Sequence, residues 1–191
     1  DLGLVSPFTT YVDTGERVIN GHKIRNALDK IYGLSTMTNV LESSINTGMI
    51  WVSEKIGRFR FKDYVENFGF GKKTGIGLDT EVSGDISSLS KSAEVYTAVG
   101  SFGQGFTVTP LQIAVAYSAL ASGCKIPKPY IVDEVRHPNG QVDKTEPELG
   151  VVISSNADKL VTAMLISVVE KGHSKIAQMK DYYVAAKTGT A

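Results

Sequence analysis

A single cysteine, Cys124, stands among 191 residues, which excludes a disulfide within the chain and any cysteine-rich metal site. The three histidines, His22, His137 and His173, lie far apart without ligand spacing, so no metal is assigned. No sign of charge dominates, because twenty Lys and Arg side chains balance twenty Asp and Glu. Without a basic block interleaved with aromatics, nucleic acid has no electrostatic footprint here. Long apolar runs are also lacking. The longest, Leu111 to Leu120, is too short for a bilayer and carries Gln112 and Ser118. With no repeat, low-complexity tract or linker, one domain is the simplest reading.

What is present suits a globular body: 42% hydrophobic and 21% charged residues allow a sizeable core. From Asp1 to Asn26, turn signals at Ser6-Pro7, Asp13-Thr14-Gly15 and Asn20-Gly21 separate short β-prone pieces, predicting loop and a short hairpin. Helical periodicity begins near Thr36 with Met37, Val40 and Leu41, and resumes from Thr47 with Met49, Ile50, Val52 and Ile56. Phe61 to Phe68 and Ala93 to Val99 read as further short helices. Thr109 as cap, Pro110 at the first position and Gly123 as the stop delimit another. Leu111, Ile113, Ala114, Val115, Ala116 and Leu120 nearly surround that helix, so a buried central position is expected. His137-Pro138-Asn139-Gly140 predicts a hairpin within Lys128 to Val142. A last helix is expected over Ser155 to Glu170, with Leu160, Val161, Met164, Leu165 and Val168 inward. The fold class is α+β, mostly helical.

Two polar features interrupt this scaffold. Ser43-Ser44-Ile45-Asn46 separates two helical patterns, and its serine and asparagine side chains compete with the backbone for hydrogen bonds, so they suit a tight joint or a cap. The second is the stretch Tyr182-Tyr183-Val184-Ala185-Ala186-Lys187-Thr188-Gly189-Thr190-Ala191, read as a strand with a cationic, hydroxyl-rich tip for an anionic guest. A Lys-Thr-Gly triplet also occurs at Lys73-Thr74-Gly75, although chance supplies only roughly 0.1 such triplets in this composition. That one falls in the glycine-rich run Phe68 to Leu78, which has neither phosphate-loop nor dinucleotide spacing and reads as turns.

Four pieces in order then carry a resemblance: Asn39 to Asn46; Phe68-Gly69-Phe70-Gly71 with Thr74-Gly75-Ile76 and Glu81; Gly103-Gln104-Gly105 with Thr109-Pro110-Leu111-Gln112; and Lys187 to Ala191. Together they resemble the transpeptidase domain of class B penicillin-binding proteins, with Ser44-Ile45-Asn46 and Lys187-Thr188-Gly189 as two of the motifs of that superfamily. The resemblance implies serine acyl transfer that cross-links peptidoglycan stem peptides ending in D-Ala-D-Ala, inhibition by β-lactams, and no cofactor. It implies catalytic roles for Ser44, Asn46 and Lys187. Ser44 would relay a proton, Asn46 would hold substrate and lysine, and Lys187 would bring positive charge to the leaving group. Thr188 and Thr190 would bind the substrate carboxylate, Gly189 would let the acyl group come close, and the Thr190 N–H would be an oxyanion donor, a contribution typically worth about 3 to 4 kcal/mol of barrier.

The nucleophile is the expected gap. Ser88-Leu89-Ser90-Lys91 and Ser122-Gly123-Cys124-Lys125 fit Ser-x-x-Lys, but about one match arises by chance, and Ser122 lies at a helix exit. The resemblance places the nucleophile helix before Asp1 and further sheet strands after Ala191, so residues 1–191 are expected to be a partial transpeptidase domain, inactive alone. Ala186 stands where glycine is frequent before the lysine, and Gly172-His173-Ser174 where relatives often have Gly-Thr-Gly. The implied setting is the cell envelope, at the outer face of a bacterial cytoplasmic membrane, among divisome or elongasome proteins. Two other readings share these residues: a serine β-lactamase or β-lactam sensor, and a catalytically dead module that binds peptidoglycan or a divisome partner.

Overall fold

The computed structural model describes residues 1–189. Strand β1 (Thr10–Asp13) pairs antiparallel with β4 (Gly33–Thr36), Thr10 facing Thr36 and Asp13 facing Gly33. Between them β2 (Glu16–Ile19) and β3 (His22–Arg25) form the expected hairpin, closed by Asn20-Gly21 with both residues at positive φ. Helix α1 (Met37–Glu42) follows β4 directly, and after the polar joint comes α2 (Asn46–Ile56), then α3 (Arg58–Asn67). Beyond the glycine-rich turns lie α4 (Glu94–Gly100) and α5 (Pro110–Ala121). Strand β5 (Lys125–Pro127) pairs with β8 (Leu149–Val151), and β6 (Glu134–Arg136) with β7 (Val142–Lys144) around the predicted His137–Gly140 turn. The last helix, α6 (Ser155–Glu170), has its predicted bounds.

The core forms around α2. One cluster joins Tyr11, Met37, Val40 and Ile45, with Met49 and Val52 of α2 packed against it, and a second joins Ile19, Ile50 and Ala98. Helices α1 and α2 cross closely at Gly48, where a Cβ would stand 2.6 Å from a Val40 methyl carbon.

Three expectations are corrected. Helix α5 is not central: Gln112, Val115, Ala116 and Ala119 are buried, but Ile113 and Tyr117 are 41% and 42% exposed. Its composition allows burial on every side, whereas the described residues cover only one. On α6, Leu160 is exposed for the same reason, and Leu165, Val168 and Val169 carry the contact. The stretch from Tyr182 forms no strand ladder among the described residues. It makes an isolated bridge between Met179 and Tyr182, and the Ala186 N–H reaches the Leu165 carbonyl at 3.4 Å. Side-chain propensity favours a strand there, but a ladder requires a neighbour to exchange N–H and C=O bonds.

Candidate active site

The joint after α1 has a defined geometry. The Ser44 N–H donates to the Leu41 carbonyl at 3.3 Å and the Ile45 N–H to the Val40 carbonyl at 2.9 Å, while Ser44 takes φ +55°. These two bonds, the left-handed residue and the Ile45–Val40 contact make a Schellman ending, in which glycine is the usual occupant of the left-handed position. Serine there costs about 1 to 2 kcal/mol relative to the right-handed region.

From that position Ser44 meets Lys187. The Lys187 ammonium donates to Ser44 Oγ at 2.7 Å across 143 residues of sequence, and also approaches the Thr188 hydroxyl at 3.2 Å and carbonyl at 3.3 Å. All three partners are hydroxyl or carbonyl oxygens. The lysine is half-buried, and this burial pushes its pKa below the usual lysine range, which eases proton exchange with the serine hydroxyl.

Helix α6 brings the two together. The Gly172 backbone lies so close to α1 that a Cβ would stand 2.5 Å from the Glu42 carbonyl. The His173 N–H donates to that same carbonyl at 3.1 Å, and Ser167 hydrogen-bonds the Glu42 carboxylate. The Leu165 carbonyl holds Ala186, next to Lys187. One helix thus fastens the joint at one point and the lysine segment at another.

The other sequence candidates are placed differently. Asn46 opens α2 but does not cap it; its Nδ2 donates to the Arg25 carbonyl at 3.1 Å, and the expected hold on the lysine is not among the hydrogen bonds of Lys187. Thr188 and Gly189 are exposed, and a Cβ at Gly189 would meet nothing within 4 Å, so the edge there is open to a guest. Thr190 lies outside the described residues. Lys73-Thr74-Gly75 is a turn folded around Glu81, which accepts from the Thr74 N–H and hydroxyl and from the Gly75 N–H. The internal Ser-x-x-Lys matches do not assemble: Lys91 Nζ sits over the Tyr96 ring at 4.7 Å, and Ser122 is the C-cap of α5.

Sequence reasoning missed the support beneath the joint. Asp13, read only as a turn residue, is 2% exposed, and its carboxylate accepts from the Gly15 and Tyr32 N–H groups, from Asn26 Nδ2 and from the Thr47 hydroxyl. Burial alone would raise its pKa. The bonds from Thr47, Tyr32, Gly15 and Asn26 outweigh that, and Asp13 lies below its usual range. No local signal distinguishes this aspartate from an ordinary turn residue.

The chain is 35% identical over 184 residues to stage V sporulation protein D of Bacillus subtilis, covering 95% of this chain and 28% of that protein. It is 33% identical over 174 residues to peptidoglycan D,D-transpeptidase FtsI of Escherichia coli, covering 91% of this chain and 28% of the relative. The chain therefore spans less than a third of the length of either. Among solved structures it superposes on penicillin binding protein 3 of Mycobacterium tuberculosis complexed with aztreonam, with a TM-score of 0.80 at 29% identity, over 87% of this chain and 38% of that one. Residues 3–191 match the penicillin binding protein transpeptidase domain, and the chain belongs to that family.

Proposed function

We propose that this chain is part of a peptidoglycan D,D-transpeptidase that works through a serine acyl-enzyme and is a target of β-lactams. The observation that carries the reading is the 2.7 Å contact between Lys187 Nζ and Ser44 Oγ, two motif residues remote in sequence and joined at an open edge. In this reaction a serine oxygen attacks the penultimate carbonyl of a D-Ala-D-Ala stem, the peptide C–N bond breaks, and D-alanine leaves with the proton on its amine. An amine of a neighbouring stem then attacks the ester and regenerates the serine. The attacking serine is that of the Ser-x-x-Lys motif of this superfamily. Ser44 relays the proton to the departing amine with Lys187 behind it, a general acid role worth about 10²- to 10⁴-fold. Asn46 orients the stem amide, Lys187, Thr188 and Thr190 receive the substrate carboxylate, and Gly189 leaves room for the acyl group.

The proposed setting is the cell envelope, among proteins of the division or elongation machinery. None of the described helices is long and apolar enough to cross a membrane. Incubating the whole protein with a fluorescent penicillin tests the function. Stable covalent labelling that falls in S44A and K187A, with no labelling of residues 1–191 alone, is the expected result. Rapid release of the label would mark a hydrolase instead, and an unlabelled whole protein a binding module.

A further inference from the structure

Four side chains beneath the joint form one buried hydrogen-bonded unit: Tyr11 and Asp13 of β1, Asn26 just past β3, and Thr47 in the first turn of α2, with relative exposures of 6%, 2%, 4% and 1%. Proton accounting fixes its direction. The Thr47 hydroxyl has one proton and two acceptors in reach, Asp13 Oδ1 at 2.6 Å and Asn26 Oδ1 at 3.1 Å, and the shorter bond to the charged carboxylate takes it. It therefore accepts from the Tyr11 hydroxyl at 3.0 Å, whose pKa burial pushes up to about 12 and which stays a donor. Asn26 Oδ1 takes the Thr47 N–H at 3.1 Å, capping α2 from outside, and Asn26 Nδ2 donates to Asp13 Oδ2 at 2.9 Å. One residue before Asn26, the Arg25 carbonyl holds the Asn46 amide.

An anion buried with no basic partner among the described residues is a costly way to fill space, and apolar residues of that volume would pack as well. What the unit adds is direction: its bonds from Tyr11, Asp13 and Asn26 converge on Thr47, the residue after Asn46. We infer that Asp13, with Asn26 and Thr47, is a positioning device that sets the height and rotation of the first turn of α2, and through it the placement of Ser44 and Asn46 against Lys187. These are positioning residues, since none touches the Ser44–Lys187 contact itself. The inference rests on the transpeptidase reading of that contact.

The test uses the whole protein, with wild type, T47V, T47S and D13N compared for their rate constant of acylation by a fluorescent penicillin. Rates are taken well below each unfolding temperature and normalised to the folded fraction from circular dichroism. T47V keeps the shape and loses the hydroxyl; its acylation step should slow about ten- to a hundred-fold, the effect of displacing catalytic groups by up to 1 Å, with binding of the intact penicillin little changed. T47S keeps the hydroxyl and should restore the rate. A T47V rate within twofold of wild type per folded molecule overturns the inference, as does equal slowing in T47S. Should T47V fail to fold, D13N decides by the same criteria, and failure of both to fold also counts against a positioning role. An unlabelled wild type would instead sink the transpeptidase reading, so the two failures are distinct.

Discussion

Helices α1 and α5 begin with the same capping box and close with the same type of bond, and differ in which residue of the exit carries left-handed strain. Thr36 and Thr109 each accept the N–H of a residue three positions on, and Asn39 and Gln112 each reach back to the cap N–H. At the other end Ser43 and Ser122 have nearly the same backbone angles, and the Ile45 and Cys124 N–H groups close onto the Val40 and Ala119 carbonyls. Between cap and closure α5 has Gly123 at φ +65°, and α1 has Ser44 at φ +55°. A Cβ at Gly123 would meet nothing within 4 Å, so conformation rather than space favours glycine there. Beyond its glycine α5 keeps a second left-handed residue, Cys124 at φ +72°, where α1 has Ile45 extended at φ −80°. Each exit thus carries one strained non-glycine residue, and in α1 it is the one that places a hydroxyl beside Lys187.

If that is why serine occupies the position, removing its partner should have the largest effect. K187M in the whole protein should lower penicillin acylation about 10²- to 10⁴-fold, or roughly 3 to 5 kcal/mol of barrier, with a thermal midpoint little changed. An acylation rate within a few-fold of wild type would remove the functional ground for the difference between the two exits. Next in size is the contact that α5 does not have: Gly172 seated on Glu42, the last residue of α1. G172A should destabilise by about 1 to 3 kcal/mol through overpacking, read from denaturant midpoints, since backbone atoms and not a flexible side chain stand in the way.

Smaller still is a reciprocal exchange at the two exits. S44G should stabilise by up to about 1 kcal/mol, because relief of the left-handed strain exceeds the added freedom of the unfolded chain, yet acylation should fall to the level of S44A. G123S should cost about 1 kcal/mol with acylation unaffected. Equal stability changes of one sign in both variants would mean that the two exits are not equivalent after all.

The exits were legible because their signals are local. A threonine cap, Pro110 and Gly123 bound α5 whatever surrounds it, and Asn139-Gly140 turns its hairpin in the same way. Burial was less legible. Apolar residues around α5 show which sides could be covered, but not that α2 takes the centre and leaves Ile113 and Tyr117 exposed. The expected strand from Tyr182 failed similarly, since Tyr and Val propensity cannot supply a ladder partner. Ser44 and Lys187 were found as candidates through the order of motifs, and no spacing rule would have paired residues 143 apart. Asp13 was missed because its signature, an aspartate two residues before a glycine, matches an ordinary turn, while its decisive contact, Thr47, is 34 residues away.

The anchors behind the two helices differ in one further respect, which pH can expose. Buried Gln112 ties α5 to the Lys72 and Ser83 carbonyls at 2.7 and 2.8 Å, and this amide has no proton to gain over the acid range. The α2 anchor is the Asp13 carboxylate. Its folded pKa lies below the ordinary carboxylate value, so its contribution is complete above the unfolded pKa and is lost as pH falls through the folded one. D13N should therefore be less stable than wild type at neutral pH, with the gap closing on acidification below the usual carboxylate range. Q112E should behave oppositely: it places a carboxylate against two carbonyl oxygens, so acid should restore stability by protonating it. Thermal midpoints taken across the acid range read both trends. Parallel curves for wild type and D13N would mean that Asp13 is not ionised in the folded protein, and the directional argument for the α2 anchor would lose its acceptor.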